Sequence, residues 1–79
     1  MMEIGGRELF APTVHSQPYC LRLEFWREDG FADFYAGQEH TLLVNGQPYP
    51  GRIVEEQIRE EGRLLVFEAP WPEPSAKAN

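Results

Sequence analysis

His15, Cys20 and His40 are the side chains of this sequence best suited by type to hold a soft metal or to make an activated nucleophile. A structural zinc site uses four thiolate or imidazole ligands, commonly in close pairs such as Cys-x2-Cys. Here three ligands are spread from position 15 to position 40 with no close pair. A Cys–His nucleophile pair needs a neighbour that lowers the thiol pKa. Cys20 instead opens an alternating apolar stretch, where cysteine serves as a small hydrophobe. The acids give no better lead. Asp29, Asp33 and Glu39 lie in or beside turns, and Glu55, Glu56, Glu60 and Glu61 read as a solvated face. General acid–base work needs two carboxylates with split pKa values in a cleft. Gly5-Gly6 lacks the Gly-x-Gly-x-x-Gly or Gly-Lys-Ser/Thr context and the following helix of a phosphate loop. The expectation is a protein that is not an enzyme, with no catalytic residue, no cofactor and no metal.

The elements that would position any site are short strands. Gly5-Gly6, Asp29-Gly30, Asn45-Gly46 and Glu61-Gly62 each separate two apolar-alternating segments. The last three glycines are equally spaced, at a distance that fits two strands and a turn. Asn45-Gly46 is the strongest signal, because a two-residue type I′ turn needs positive φ at both central positions. Asp29-Gly30 predicts a hairpin between 20–27 and 31–35. Leu21, Leu23 and Phe25 share one strand face, and Arg22, Glu24 and Trp26 the other. Residues 64–67 are apolar on both faces, as in a strand covered on two sides. Pro48 and Pro50 mark an edge or a kink, since proline cannot donate to a ladder. Residues 53–61 suit a helix by composition and a strand by pairing with the next strand in the chain; strand is the preferred reading. Residues 11–19 read as a loop or irregular edge.

The sequence therefore predicts an all-β fold of about five to seven short antiparallel strands in a meander, closing into a small barrel or sandwich. One short helix over 53–61 is the variant of that fold. The expected core is Leu21, Leu23, Phe25, Phe34, Leu42, Val44, Ile53, Ile58, Leu65 and Phe67. Residues 1–71 form the domain, and 72–79 a flexible tail rich in proline at its start.

Totals narrow the function. At 79 residues there is room for one domain and little room for a deep cleft. Its stability is expected to be about 3–5 kcal/mol. Net charge is −6, and neither half of the chain is basic. No Lys/Arg cluster is present to meet a phosphate backbone, so nucleic acid is not an expected partner. No apolar stretch approaches membrane-spanning length and no signal-peptide pattern opens the chain, so neither a membrane nor secretion is expected. One cysteine gives no disulfide framework, and the expected location is cytoplasmic.

The aromatics are the most informative residues left. Trp26, Phe31, Phe34, Tyr35, Tyr49 and Trp71 exceed what one small core must hold. They either close the barrel ends or present a partner surface. Trp26, Phe31, Tyr35, Tyr49 and Trp71 are the candidate partner-binding residues, because exposed aromatics bury much area at low entropic cost.

Residues 37–69 carry Gly37, Leu42-Leu43-Val44, Asn45-Gly46, Tyr49, Ile53-Val54, Gly62 and the 64–67 run. The pattern resembles the strand–turn–strand core of many small barrels, including phage head–tail joining proteins and barrels that bind cyclic dinucleotides. The second group carries an arginine motif at its start, where this chain has isolated Arg7 and Arg22. The resemblance implies a fold and not a family.

The functional expectation is a protein-interaction or assembly module, a small β-barrel subunit or adaptor of the head–tail joining kind, with a protein partner. Two alternatives remain. One is an acidic inhibitor or immunity-type protein that occupies a basic site. The other is a small-ligand-binding barrel.

Overall fold

A computed structural model describes residues 1–70; Trp71 and the 72–79 tail lie outside the described residues. Seven strands appear in chain order: β1 Met2–Ile4, β2 Arg7–Glu8, β3 Thr13–Gln17, β4 Cys20–Trp26, β5 Glu39–Val44, β6 Gln47–Arg59 and β7 Gly62–Pro70. All pairings are antiparallel, and the strands form one sheet in the order β2-β1-β5-β6-β7-β4-β3. The sheet curls into a half-barrel, and the described residues contain no helix.

Local chemistry explains most of the turns. Asn45 and Gly46 have φ of 53° and 85°, and Val44 pairs with Gln47 across them. This is the type I′ geometry their residue types favour. Residues 53–59 are strand, and a bulge lies between Ile53 and Glu55. The bulge turns Glu55 to the outer face opposite Val66 and sets Glu56 on the core face opposite Leu65, where Arg27 and Arg63 pair with it. The next hairpin loop is Glu60-Glu61, one residue earlier than expected, and Gly62 already belongs to β7.

Two expectations about elements require correction. Asp29-Gly30 does not join two strands, and residues 31–35 are not a strand. Phe31 N–H instead donates to the Arg27 carbonyl at 2.9 Å, and a loop over 27–38 begins there. The reason is side-chain burial. Phe31 and Phe34 turn into the open mouth of the half-barrel, where Phe25, Phe31 and Phe34 meet edge to face at 4.9 and 5.1 Å. The second correction concerns 11–19, which lies at a sheet edge but is neither a loop nor irregular. That segment contains a regular strand, β3, closed onto β4 by a two-residue turn at Pro18-Tyr19.

The core is the concave face of the sheet plus this loop. Ile4, Leu21, Leu23, Phe25, Leu42, Ile53, Leu65, Phe67 and Ala69 come from strands, and Leu9, Phe31 and Phe34 from connections. Val44 is half-buried against this cluster. Ile58 is 79% exposed, because β6 runs past the end of the core there. Leu64 and Val66 are buried on the opposite face of β7. They lie between Trp26 and Glu24 on β4 and Gln57 and Glu55 on β6. The stems of such long side chains cover apolar surface while their heads stay in water. The two-faced 64–67 run thus has a sheet core on one side and a polar canopy on the other.

Candidate interaction edge

The fold brings Cys20 and His40 to the border of one open groove, while His15 lies outside its lining. Cys20 is half-buried at the start of β4. Burial and then the nearby Glu68 carboxylate push its thiol pKa up, against a smaller opposing effect of Arg22. His15 lies on β3 with Glu24 at 3.8 Å. His40 lies on β5, stacked on Phe34 at 4.1 Å and hydrogen-bonded through Nε2 to Gln38 Oε1 at 3.1 Å. Burial pushes the His40 pKa down. Among the described residues no three of His, Cys, Asp and Glu gather as a metal set. Asp33 is clasped by Arg7 at 2.6 Å, and Glu39 pairs with Arg52 at 3.1 Å. Glu56 bridges Arg27 and Arg63 at 3.3 and 3.5 Å. That groove, about 740 Å³, is bordered by Cys20, Glu39, His40, Arg52, Glu68 and Pro70. Pro70 is the last described residue, so the groove is described on that side only up to it.

Among the described residues the aromatic candidates sit in different parts of the fold. Phe31 is core, 1% exposed, and unavailable to a partner. Tyr49 is half-buried against the core, opposite Leu42. Trp26 is half-buried on the outer face opposite Leu64. Tyr35 is exposed in the 27–38 loop, under the Arg27 guanidinium at 4.5 Å from its ring centre. Trp71 lies outside the described residues.

What the sheet does present is an open strand edge. Two stretches of open edge among the described residues are blunted. β2 is two residues long, and Arg7 ties it to the 27–38 loop through Asp33 and the Gly30 carbonyl. The first part of β6 has no neighbour on its β7 side, since pairing with β7 starts at Arg52. Ile53 exchanges hydrogen bonds with Gly37 and Gln38 on the β5 side. By the alternation of a strand, Pro48 and Pro50 therefore face away from β5. Proline has no N–H to offer, so this edge cannot template another strand. The edge expected from Pro48 and Pro50 is present but closed.

β3 carries no such protection. All five of its residues are exposed, and none is Lys, Arg, Asp, Glu or Pro. Arg27 N–H donates to the Arg63 carbonyl at 2.8 Å, so the odd-numbered residues of β4 turn their backbone toward β7. The even-numbered Cys20, Arg22 and Glu24 turn theirs toward Gln17, His15 and Thr13. Val14 and Ser16 are left with N–H and C=O pointing out of the sheet. Tyr19, 73% exposed, and Phe10, 66% exposed, stand at the two ends of the strand. Tyr19 has φ of 68°, a left-handed conformation costing an L-residue about 1–2 kcal/mol.

Sequence reasoning missed Phe10, Tyr19 and the strand between them. A signal was present. Pro18 favours the first central position of a two-residue turn, and Val14 has the branched shape strands accept. Pro12 and Pro18 mark the ends of the strand, and no charge occupies its interior. The chain matches no family model, no curated protein and no solved structure.

Proposed function

We propose that this protein is a non-enzymatic interaction module, a subunit or adaptor that joins another chain by strand pairing along β3. The single observation that carries this reading is the unprotected edge. Five exposed residues without charge or proline present two outward N–H and two outward C=O groups. Sheet proteins ordinarily blunt such edges, as β2 and the first part of β6 do here. Main-chain hydrogen bonds to an added strand supply affinity, and side chains at alternate positions supply selectivity. The upward push on the Cys20 thiol pKa, from burial and then Glu68, disfavours a thiolate nucleophile and supports binding over catalysis.

The test is a comparison of two baits in a pull-down from lysate, the native chain and Ser16→Pro, each at low and high salt. Ser16 N–H points outward, so its loss leaves the bonds to β4 intact. The expected result is a captured protein lost with Ser16→Pro while the thermal melt of the bait is retained. Capture that is equal with both baits sinks edge pairing, and so does no capture with either together with a native chain that stays monomeric. Capture that is unaffected by Ser16→Pro but lost at high salt would favour the acidic-inhibitor reading instead.

A further inference from the structure

We infer that the strand that pairs with β3 is β3 of a second copy of this chain, in a two-fold antiparallel dimer centred on His15. This inference rests on the edge reading above and names its partner. The first argument is register. Outward-facing residues must pair with outward-facing residues. With His15 opposite His15 of the second copy, Val14 falls opposite Ser16 at both ends, and all four outward N–H groups meet all four outward C=O groups. Pro12 and Pro18 lack an N–H, so the strand offers no donor beyond those two residues and matches a partner of its own length.

The second argument is closure. Two other stretches of open edge in the same sheet are poorly suited to receive β3. β2 has one outward residue, the acidic Glu8, and the first part of β6 has prolines at its outward positions. Neither serves as a head-to-tail recipient, whereas the isologous β3–β3 contact closes on itself.

The third argument is charge and contact. Each chain has net charge −6, yet β3 contributes no acid or permanent cation to the junction. The dimer opposes no fixed like charges directly. Val14, 42% exposed on the core face of the sheet, gains cover. The same register brings residues 10–12 of one chain toward the Tyr19 turn of the other. A five-residue strand pair still covers less than the roughly 1,200–2,000 Å² of a stable interface, so the dimer is weak and reversible.

Sedimentation equilibrium over a dilution series, with the native chain, Ser16→Pro and Ser16→Lys, tests this directly. Ser16→Lys keeps the backbone donor and places a cation beside the junction on each copy. Thermal melts of both variants establish that they fold. The expected result is a monomer–dimer equilibrium for the native chain, with the dissociation constant raised about tenfold or more in both variants. Raising salt to about 0.5 M should strengthen the native dimer, because screening relieves the repulsion of two acidic chains. A native chain that stays monomeric at the highest concentration overturns the inference. So does a dimer that persists in both variants, since its interface then lies elsewhere. The edge reading fails separately. If the native chain is monomeric while Ser16→Pro still abolishes capture in the pull-down, β3 pairs with a foreign strand. If capture is also unchanged, both readings fall.

Discussion

Arg7 holds Asp33 with two parallel hydrogen bonds, at 2.6 and 3.1 Å, across 26 positions of sequence. The same guanidinium reaches the Gly30 carbonyl at 2.7 Å and lies 5.4 Å from the centre of the Phe34 ring. One exposed cation therefore fastens edge strand β2 to the loop that fills the mouth of the half-barrel. The pair is solvated, so its effect is expected to be local. Asp33→Asn should speed amide hydrogen exchange across 30–37 and leave the amides of β7 protected. The difference should shrink in high salt. Uniform acceleration over the whole chain would show that the clasp supports the global fold.

Phe67 and Ile58 make opposite predictions. Phe67 is fully buried, and deleting such a ring costs about 3–5 kcal/mol, comparable with the whole stability expected of a domain this size. Phe67→Asp should abolish the cooperative thermal melt. Ile58→Asp should shift stability by about 0.5 kcal/mol or less, since the side chain is solvent-exposed. A cooperative melt retained in Phe67→Asp would mean that the core is elsewhere.

Gly51 is required by proximity. A Cβ there would collide with the Glu68 carbonyl oxygen, and would lie 2.7 Å from the Phe67 ring and 2.8 Å from Ala69 Cβ. Gly51→Ala should destabilise by about 1–3 kcal/mol in urea unfolding. Gly46→Ala meets no neighbour, so any loss there reflects its φ of 85° alone.

Stability should fall on acidification in two stages. The His40 pKa is lowered in the fold by burial, so the unfolded chain protonates first and stability declines as pH falls below the ordinary value of 6.5. Glu28 is held below 4.5 chiefly because its carboxylate accepts the Arg63 N–H, at 3.0 Å from each oxygen. Asp33 is held below 3.8 chiefly by Arg7. For both carboxylates the stabilisation is complete above the unfolded value and is lost as pH falls through the lower folded value. Urea midpoints measured from neutral to acid pH should show both stages. His40→Gln should remove the first and Glu28→Gln should reduce the second. A midpoint independent of pH would contradict both assignments.

Tyr19 offers a gain. Its left-handed backbone suits glycine, and its side chain is mostly in water. Tyr19→Gly should raise stability by up to about 1 kcal/mol, the strain relieved less the entropy that glycine adds to the unfolded chain. A loss on substitution would show that the ring makes contacts that outweigh the strain.

The sequence determined those parts of the protein that depend on neighbours in the chain. Asn45-Gly46 set its turn and the register of β5 on β6, because only positive φ closes that loop. Alternation assigned Leu21, Leu23 and Phe25 to one face of β4, and proline at 48 and 50 marked a place where no strand follows on one side. Tertiary structure decided what depends on distance. Asp29-Gly30 lost its hairpin because burying Phe31 and Phe34 in the half-barrel mouth outweighs the turn propensity of two residues. Ile58 left the core because β6 outruns the sheet that would cover it. β3 became the open edge because strand order is fixed by which apolar faces meet across the sheet, and no local pattern records which strand is placed last.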